Sequence, residues 1–389
     1  MKKLILAMLL LSSFPDTMAG AEELTEPEII SEAAVLTDSE SGAILYEKNA
    51  DKKMFPASLT KIATAIYAIE NGDLNEMATV SEEAVEVDGT RVYLEKGEEV
   101  PLKKLVQGML INSGNDAAWA IAEHLDGSMD RYSVNLNSYL KEKVHLENTH
   151  FVNPHGLHDE NHYTTAEDLA KLTNYALKNE TFKKIFGTKE LKWSGKSWET
   201  TIFTHHRMLK GEVPFEGVTG GKTGFVDEAK QTLATSAENE SIKLTAIVLK
   251  ADFKRDIYKD TKSLLNFGFN HFESSDLSST EVFPADGKNY TTGGKDVAIT
   301  LPKGTFNENV TPKGKLLIED QNGKVIQTVQ LSEDKKDEVV SSQLKPEEEP
   351  KKETTGYYGK IGLTLFLFAV FILLLIKNLK EKARRRRRV

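Results

Sequence analysis

Cysteine is absent from all 389 residues, so neither a disulfide nor a thiol nucleophile can support the fold or the chemistry. With 26 glycines and 11 prolines the chain is not collagen-like, and 39% hydrophobic against 28% charged residues is not the composition of a disordered one. Positive charge is also short, since the formal net charge is -9. The deficit is uneven. Residues 22–359 hold 39 Lys/Arg against 57 Asp/Glu, a balance of -18, whereas everything from Lys360 onward totals +8. A uniformly soluble cytosolic protein rarely has this distribution, and the length suggests two domains or more.

The two ends account for the asymmetry. Lys2 and Lys3 precede the apolar run Leu4 to Leu11, and Ala19-Gly20-Ala21 follows, the order of a signal peptide with its cleavage site. Residues 1–21 are therefore expected to be removed. Near the other end Ile361 to Ile376 carries no charge and is flanked by Tyr357, Tyr358, Lys360 and Lys377. Its 16 residues fall just short of the usual spanning length of about 17 to 25, and snorkelling lysines with interfacial tyrosines supply the remainder. Lys377, Lys380, Lys382 and Arg384 to Arg388 place the C-terminus in the cytoplasm by the positive-inside rule. An in-plane amphipathic helix fits less well because the segment is apolar all round. A nucleic-acid-binding arginine tail fits poorly beside a span. The expected location is a bacterial cell membrane, single-pass, with the main domain outside and held by its core alone.

Between the ends, Ala33 to Leu36 and Ala43 to Tyr46 read as an N-terminal hairpin. Ser58 to Glu70 reads as a helix with a buried face, closed by Asn71-Gly72. Leu102, Leu105, Val106, Met109 and Leu110 have the spacing of an amphipathic helix, Asp116 to Leu125 resumes the period, and Ser113 to Asn115 fall in the tight connection. Thr165 caps a further helix, Leu169 to Leu177. The stretches around Gly220 to Gly224, Gln231 to Ala237 and Ile242 to Leu249 read as strands. Strands at both ends with helices between predict an α/β sandwich in which an antiparallel sheet is flanked by helices. From Ser274 short β-like runs such as Val297 to Leu301 predict a small all-β domain. The expected divisions are 1–21 signal peptide, 22–273 main domain, 274–340 β-rich domain, 341–359 linker, 360–377 transmembrane helix and 378–389 basic tail.

Ser-x-x-Lys occurs four times, at Ser58/Lys61, Ser138/Lys141, Ser332/Lys335 and Ser342/Lys345. Only the first stands in an apolar helix, with Ser58 in the first turn and Lys61 one turn on, on the same face. A lysine can activate a serine only if it is partly neutral, and burial together with the positive end of a helix lowers its pKa. The bland reading is a serine N-cap and a surface lysine. Ser113-Gly114-Asn115 adds a hydroxyl and an amide in an interhelical loop. Lys222-Thr223-Gly224 adds a cation and a hydroxyl for a carboxylate, with a glycine that lets a substrate backbone approach. The three in this order form the combination found in β-lactamases and penicillin-binding proteins.

From roughly Ala33 to Phe272 the chain resembles the low-molecular-weight penicillin-binding D-alanyl-D-alanine carboxypeptidases. The resemblance rests on Ala57 to Lys61, Leu110 to Ala118, Asn153 to Leu157 and Gly220 to Gly224. It implies a β-lactamase/transpeptidase-like domain followed by a small β domain and a membrane attachment. It also implies a serine peptidase that removes the terminal D-alanine of peptidoglycan stem peptides and is inhibited by β-lactams, without cofactor, metal or nucleic acid. Ser58 is then the nucleophile, Lys61 the base, and Ser113 and Asn115 the proton relay and amide contact. Lys222 and Thr223 would meet the carboxylate, Gly224 would admit the substrate, and the backbone N–H groups of Ser58 and Phe225 would form the oxyanion hole. Arg255 is expected to add a second carboxylate contact. Many members end in an in-plane helix, from which the apparent span departs. Three alternatives stand beside this: a class A-like β-lactamase with Glu167 as its base, a metallopeptidase using His155, His158, Asp159 and His162, and an inactive scaffold.

Overall fold

Ala33–Asp38 is buried at every residue, so this strand must be covered on both faces rather than alternate between core and solvent. The computed structural model, which describes residues 26–334, shows how. The strand lies in a five-stranded sheet in the order Ile44–Lys48, Ala33–Asp38, Lys243–Ala251, Lys230–Glu238 and Val218–Val226. Every pairing is antiparallel, and Val35 stands opposite both Glu47 and Ile247. Strands from the two ends of the domain thus share one sheet, as the element order predicts. Ala33 and Val35 join Ile247 and Leu249 in a core with the helices of residues 60–177. Ala34 and Leu36 face the other way, onto Leu264 and Leu265 of the helix Lys254–His271. Alternation survives, but both faces are apolar.

The expected helix at 58–70 is a 3₁₀ turn, Ala57–Leu59, that leads into an α-helix, Thr60–Asn71. Thr60 to Ala68 are buried without interruption, so it is enclosed all round, which is what an apolar helix requires. Gly72 is its C-cap, as the Asn71-Gly72 pair predicts, with its N–H donating to the Ala68 carbonyl and its backbone extended, φ -113°. Packing explains why it is a glycine. A Cβ there would fall 2.5 Å from the Leu102 side chain and 2.9 Å from that of Leu125. The helices Leu102–Ile111 and Asn115–Asp126 leave three residues between them, with Ser113 at φ 62°. Thr165 caps Ala166–Leu177 by accepting from the Asp168 N–H.

The helix Lys254–His271 runs directly into the strand Phe272–Leu277, which pairs with Val297–Pro302. Further short antiparallel strands enclose a small core of Leu277, Phe283, Tyr290, Ile299, Leu316, Ile318, Val329 and Leu331. The join is polar. Asp38 is fully buried, and its Oδ2 accepts from Ser274 Oγ at 2.8 Å and Thr300 Oγ1 at 2.8 Å. Among the described residues no helix is long and apolar enough to cross a membrane. The expected signal peptide, linker, span at 360–377 and basic tail lie outside the described residues.

Candidate active site

Lys61 Nζ stands at the centre of the site because the enclosed helix gives its side chain no route to water. Lys61 is completely buried, and its Nζ donates to Ser58 Oγ at 2.9 Å, Asn115 Oδ1 at 2.7 Å and the His155 carbonyl at 2.7 Å. All three acceptors are neutral. Burial therefore holds the amine well below the ordinary lysine range, the nearby charge of Lys222 lowers it further, and Asp116 partly opposes this. Once neutral, the amine can give its two hydrogens to Asn115 and His155. Its lone pair is then left for the Ser58 hydroxyl proton.

The turn carrying Ser58 is bent tightly. Ala57 has φ 49°, a left-handed value that a non-glycine residue adopts only when its surroundings compel it. Gly156 presses on it from one side, where a Cβ would fall 1.9 Å from the Ala57 carbonyl oxygen. From the other side Thr232 Oγ1 donates to the Pro56 carbonyl at 3.0 Å. Gly224 also has a packing role, since a Cβ there would stand 2.8 Å from the Ser58 nitrogen. Its strand, Val218–Val226, forms one edge of the sheet, so backbone groups on its open side are unpaired within the sheet. The Ser58 and Phe225 N–H groups named as an oxyanion hole belong to these adjoining segments, and the Phe225 ring is exposed.

Lys222, on that strand, donates to Ser113 Oγ at 2.9 Å and to the Thr223 carbonyl at 2.7 Å. Burial brings its pKa down to about 7. Two lysines and two serines thus form two hydrogen-bonded pairs, Ser58 with Lys61 and Ser113 with Lys222, and the 113–115 backbone ties them together because Asn115 is bonded to Lys61. The loop between the helices is fixed from outside. Asn115 Nδ2 donates to the Asp88 carbonyl at 2.6 Å, and the buried Asp116 carboxylate accepts from the N–H groups of Val92, Leu94 and Ala117. Burial raises the Asp116 pKa while these donors lower it.

The structure brings Ser58, Lys61, Ser113, Asn115 and Lys222 together, with Thr223 and Gly224 beside them. Arg255 makes no hydrogen bond to this cluster among the described residues. Its side chain is 84% exposed at the start of its helix, where it meets the neighbouring Asp256, Nε to Oδ1 3.1 Å, and lies over the Phe253 ring. Glu167, the base of the β-lactamase alternative, pairs with Lys171 at 2.8 Å in the first turn of its own helix.

The histidine cluster is likewise dispersed. His162 Nε2 is 2.8 Å from Thr60 Oγ1 and its Nδ1 accepts from the Val152 N–H, His158 packs edge-on against Phe55, and His155 stacks on Trp119. Burial takes His162 down to about 3, so it is neutral. No group of three or more potential ligands that could hold a metal occurs among the described residues. Ser138 and Lys141 are both exposed on their helix, as an ordinary surface pair should be. Sequence reasoning missed the His155 carbonyl, for which backbone offers no signal. It also missed Asp116, whose signal was an acidic residue opening an otherwise apolar helix.

The comparisons agree with this geometry. Residues 20–253 match the family described as D-alanyl-D-alanine carboxypeptidase. The D-alanyl-D-alanine carboxypeptidase DacF of Bacillus subtilis is 33% identical over 285 residues, 70% of this chain and 72% of the relative. DacA of Haemophilus influenzae is 30% identical over 374 residues, 87% of this chain and 89% of the relative. The crystal structure of penicillin binding protein 5 from Haemophilus influenzae superposes with a TM-score of 0.66 at 26% identity, covering 79% of this chain and 98% of that one.

Proposed function

The chain belongs to the D-alanyl-D-alanine carboxypeptidase family and is a serine-type enzyme of that activity, and from this premise we propose how its residues carry the reaction and where. Ser58 Oγ attacks the carbonyl between the two D-alanines that end a peptidoglycan stem peptide, passing its proton to neutral Lys61. The oxyanion is stabilised by the N–H groups of Ser58 and Phe225. Ser113 relays a proton toward the departing nitrogen, the C–N bond breaks, and D-alanine leaves. Water then hydrolyses the ester on Ser58, with Lys61 again taking the proton. Asn115 holds the substrate amide. Lys222 and Thr223 take the terminal carboxylate, whose charge restores the proton on Lys222. β-Lactams acylate the same serine and so inhibit.

The observation that carries this reading is the buried Lys61 amine, 2.9 Å from Ser58 Oγ with two further neutral acceptors. The test is D-alanine release from a pentapeptide with and without penicillin. Release abolished by penicillin and by Ser58→Ala supports it, and release that survives Ser58→Ala overturns it.

The same proposal extends to location. A removed leader at 1–21 and a span at 360–377 with a cytoplasmic arginine tail would hold the enzyme at the outer face of a bacterial membrane. Support comes from the +7 charge that follows the tyrosine-flanked apolar run. A chain ending at residue 359 should leave the membrane fraction; continued membrane association would refute the span.

A further inference from the structure

Beside the cluster lies an open groove of about 740 Å³. Asn112, which lines it, immediately precedes the Ser113 that Lys222 contacts. On its other side the segment Thr204–His205 enters it next to His206, and the His206 ring covers Gly221, where a Cβ would fall 2.3 Å from the ring. The groove therefore begins at the Lys222 end of the site, the end at which the departing residue lies. An alanine methyl is far smaller, comparable to the ~30 Å³ share of one water molecule.

The lining is polar and positive. Arg207, Lys210 and Lys254 face one carboxylate, Glu212, and both Arg207 and Lys210 are bound to it, at 3.1 and 2.6 Å. Lys254 forms no ion pair among the described residues. The strand Glu199–Phe203 also lines the groove, with Thr200 and Thr201 alternating in direction along it, so that one of the two side chains faces it. His205 reports the same field: burial first, then the charges of Lys222, Lys210 and Lys254, bring its pKa down to about 4.

We propose that this groove is a subsite for departing residues that carry a second carboxylate, held by Lys254. The proposal rests on the carboxypeptidase reading and leaves its steps unchanged. Ser58 still displaces an amine, the C–N bond breaks, the amine leaves with the relayed proton, and water hydrolyses the ester. Only the leaving group differs. It is either a single acidic D-residue or the amine-bearing residue of an acidic peptide strand joined in a cross-link.

The test is the ratio of kcat/KM for a peptide ending in D-Ala-D-Glu to that for one ending in D-Ala-D-Ala, with a cross-linked muropeptide dimer as a third substrate. The exposed Lys254→Glu should lower the D-Glu to D-Ala ratio by about tenfold, the effect of one charge contact. Lys259→Glu, which makes the same charge change on the same helix outside the groove, should leave the ratio as in the wild type. Cleavage of the dimer with the same Lys254 dependence assigns the subsite to a strand, and cleavage of the D-Glu peptide alone assigns it to a single residue. A ratio unaltered by Lys254→Glu, or altered equally by Lys259→Glu, overturns the subsite while D-alanine release stands. No D-alanine release by the wild type overturns the underlying reading and the subsite with it.

Discussion

The cleft and the join to the β-rich part both bury charge-bearing side chains, and they treat them oppositely. At the join Asp38 is surrounded by donors: the Ser274 and Thr300 hydroxyls on one oxygen and the Glu40 N–H on the other. In the cleft Lys61 and Lys222 meet only neutral acceptors and each other. A buried group that is fully hydrogen-bonded fixes structure, whereas one left without a counter-ion is pushed toward neutrality and becomes reactive. The same cost of desolvation thus makes the join rigid and the cleft chemical.

The largest test of this contrast is the nucleophile itself. Ser58→Ala should lower D-alanine release by about 10⁴-fold and abolish labelling by a fluorescent penicillin at that residue, with an unchanged far-ultraviolet circular dichroism spectrum. Lys61→Arg keeps a cation but cannot supply a neutral base, so acylation measured in single turnover should drop by at least ~10³-fold. If Lys61→Arg acylated normally, neutrality would not be what the burial provides.

Lys222 sharpens the comparison through pH. Its carboxylate contact needs the protonated form, so kcat/KM should fall as pH rises through about 7 in the free enzyme, and Lys222→Arg should move that fall to higher pH. The stability effect has the opposite sign. A depressed lysine binds fewer protons folded than unfolded between about 7 and its ordinary value of 10.5, so stability should rise with pH across that window. Lys222→Met should flatten this slope and stabilise the fold at neutral pH by ~1–2 kcal/mol in urea titrations, while kcat/KM falls about 100-fold.

At the join the expected signs reverse. Asp38→Ala should destabilise by roughly 1–3 kcal/mol, because it removes the acceptor shared by the buried Thr300 hydroxyl and the half-buried Ser274 hydroxyl, and should change kcat by less than about twofold. Arg255→Ala should have the smallest effect on stability, since the side chain is exposed and meets only near neighbours such as Asp256 and Phe253, and a kcat/KM within about twofold of the wild type would remove it as the second carboxylate contact.

Much of the fold was legible in local pattern. The strands flanking Gly42, the helices around Ser113 and the Thr165 cap all follow from period and capping chemistry, which act within a few residues. Gly72 closes its helix as Asn71-Gly72 predicts, but the need for glycine there is not local: the side chains of Leu102 and Leu125, distant in sequence, occupy the space a Cβ would need.

The sequence by itself determined that Ser58 and Lys61 share one face of a helical segment, that Ser113 stands in an interhelical break with Asn115 at its edge, and that Lys222 and Thr223 lie on a strand. These are consequences of backbone geometry over one or two turns. Tertiary structure alone decided that Lys61 has three neutral acceptors and no counter-ion, that Ala57 is held at positive φ between Gly156 and the Thr232 hydroxyl, and that Asp116 fastens the loop to Val92 and Leu94. Each depends on residues up to 176 positions apart. Burial and electrostatic environment are properties of the whole packed core, and no local pattern in the chain encodes them.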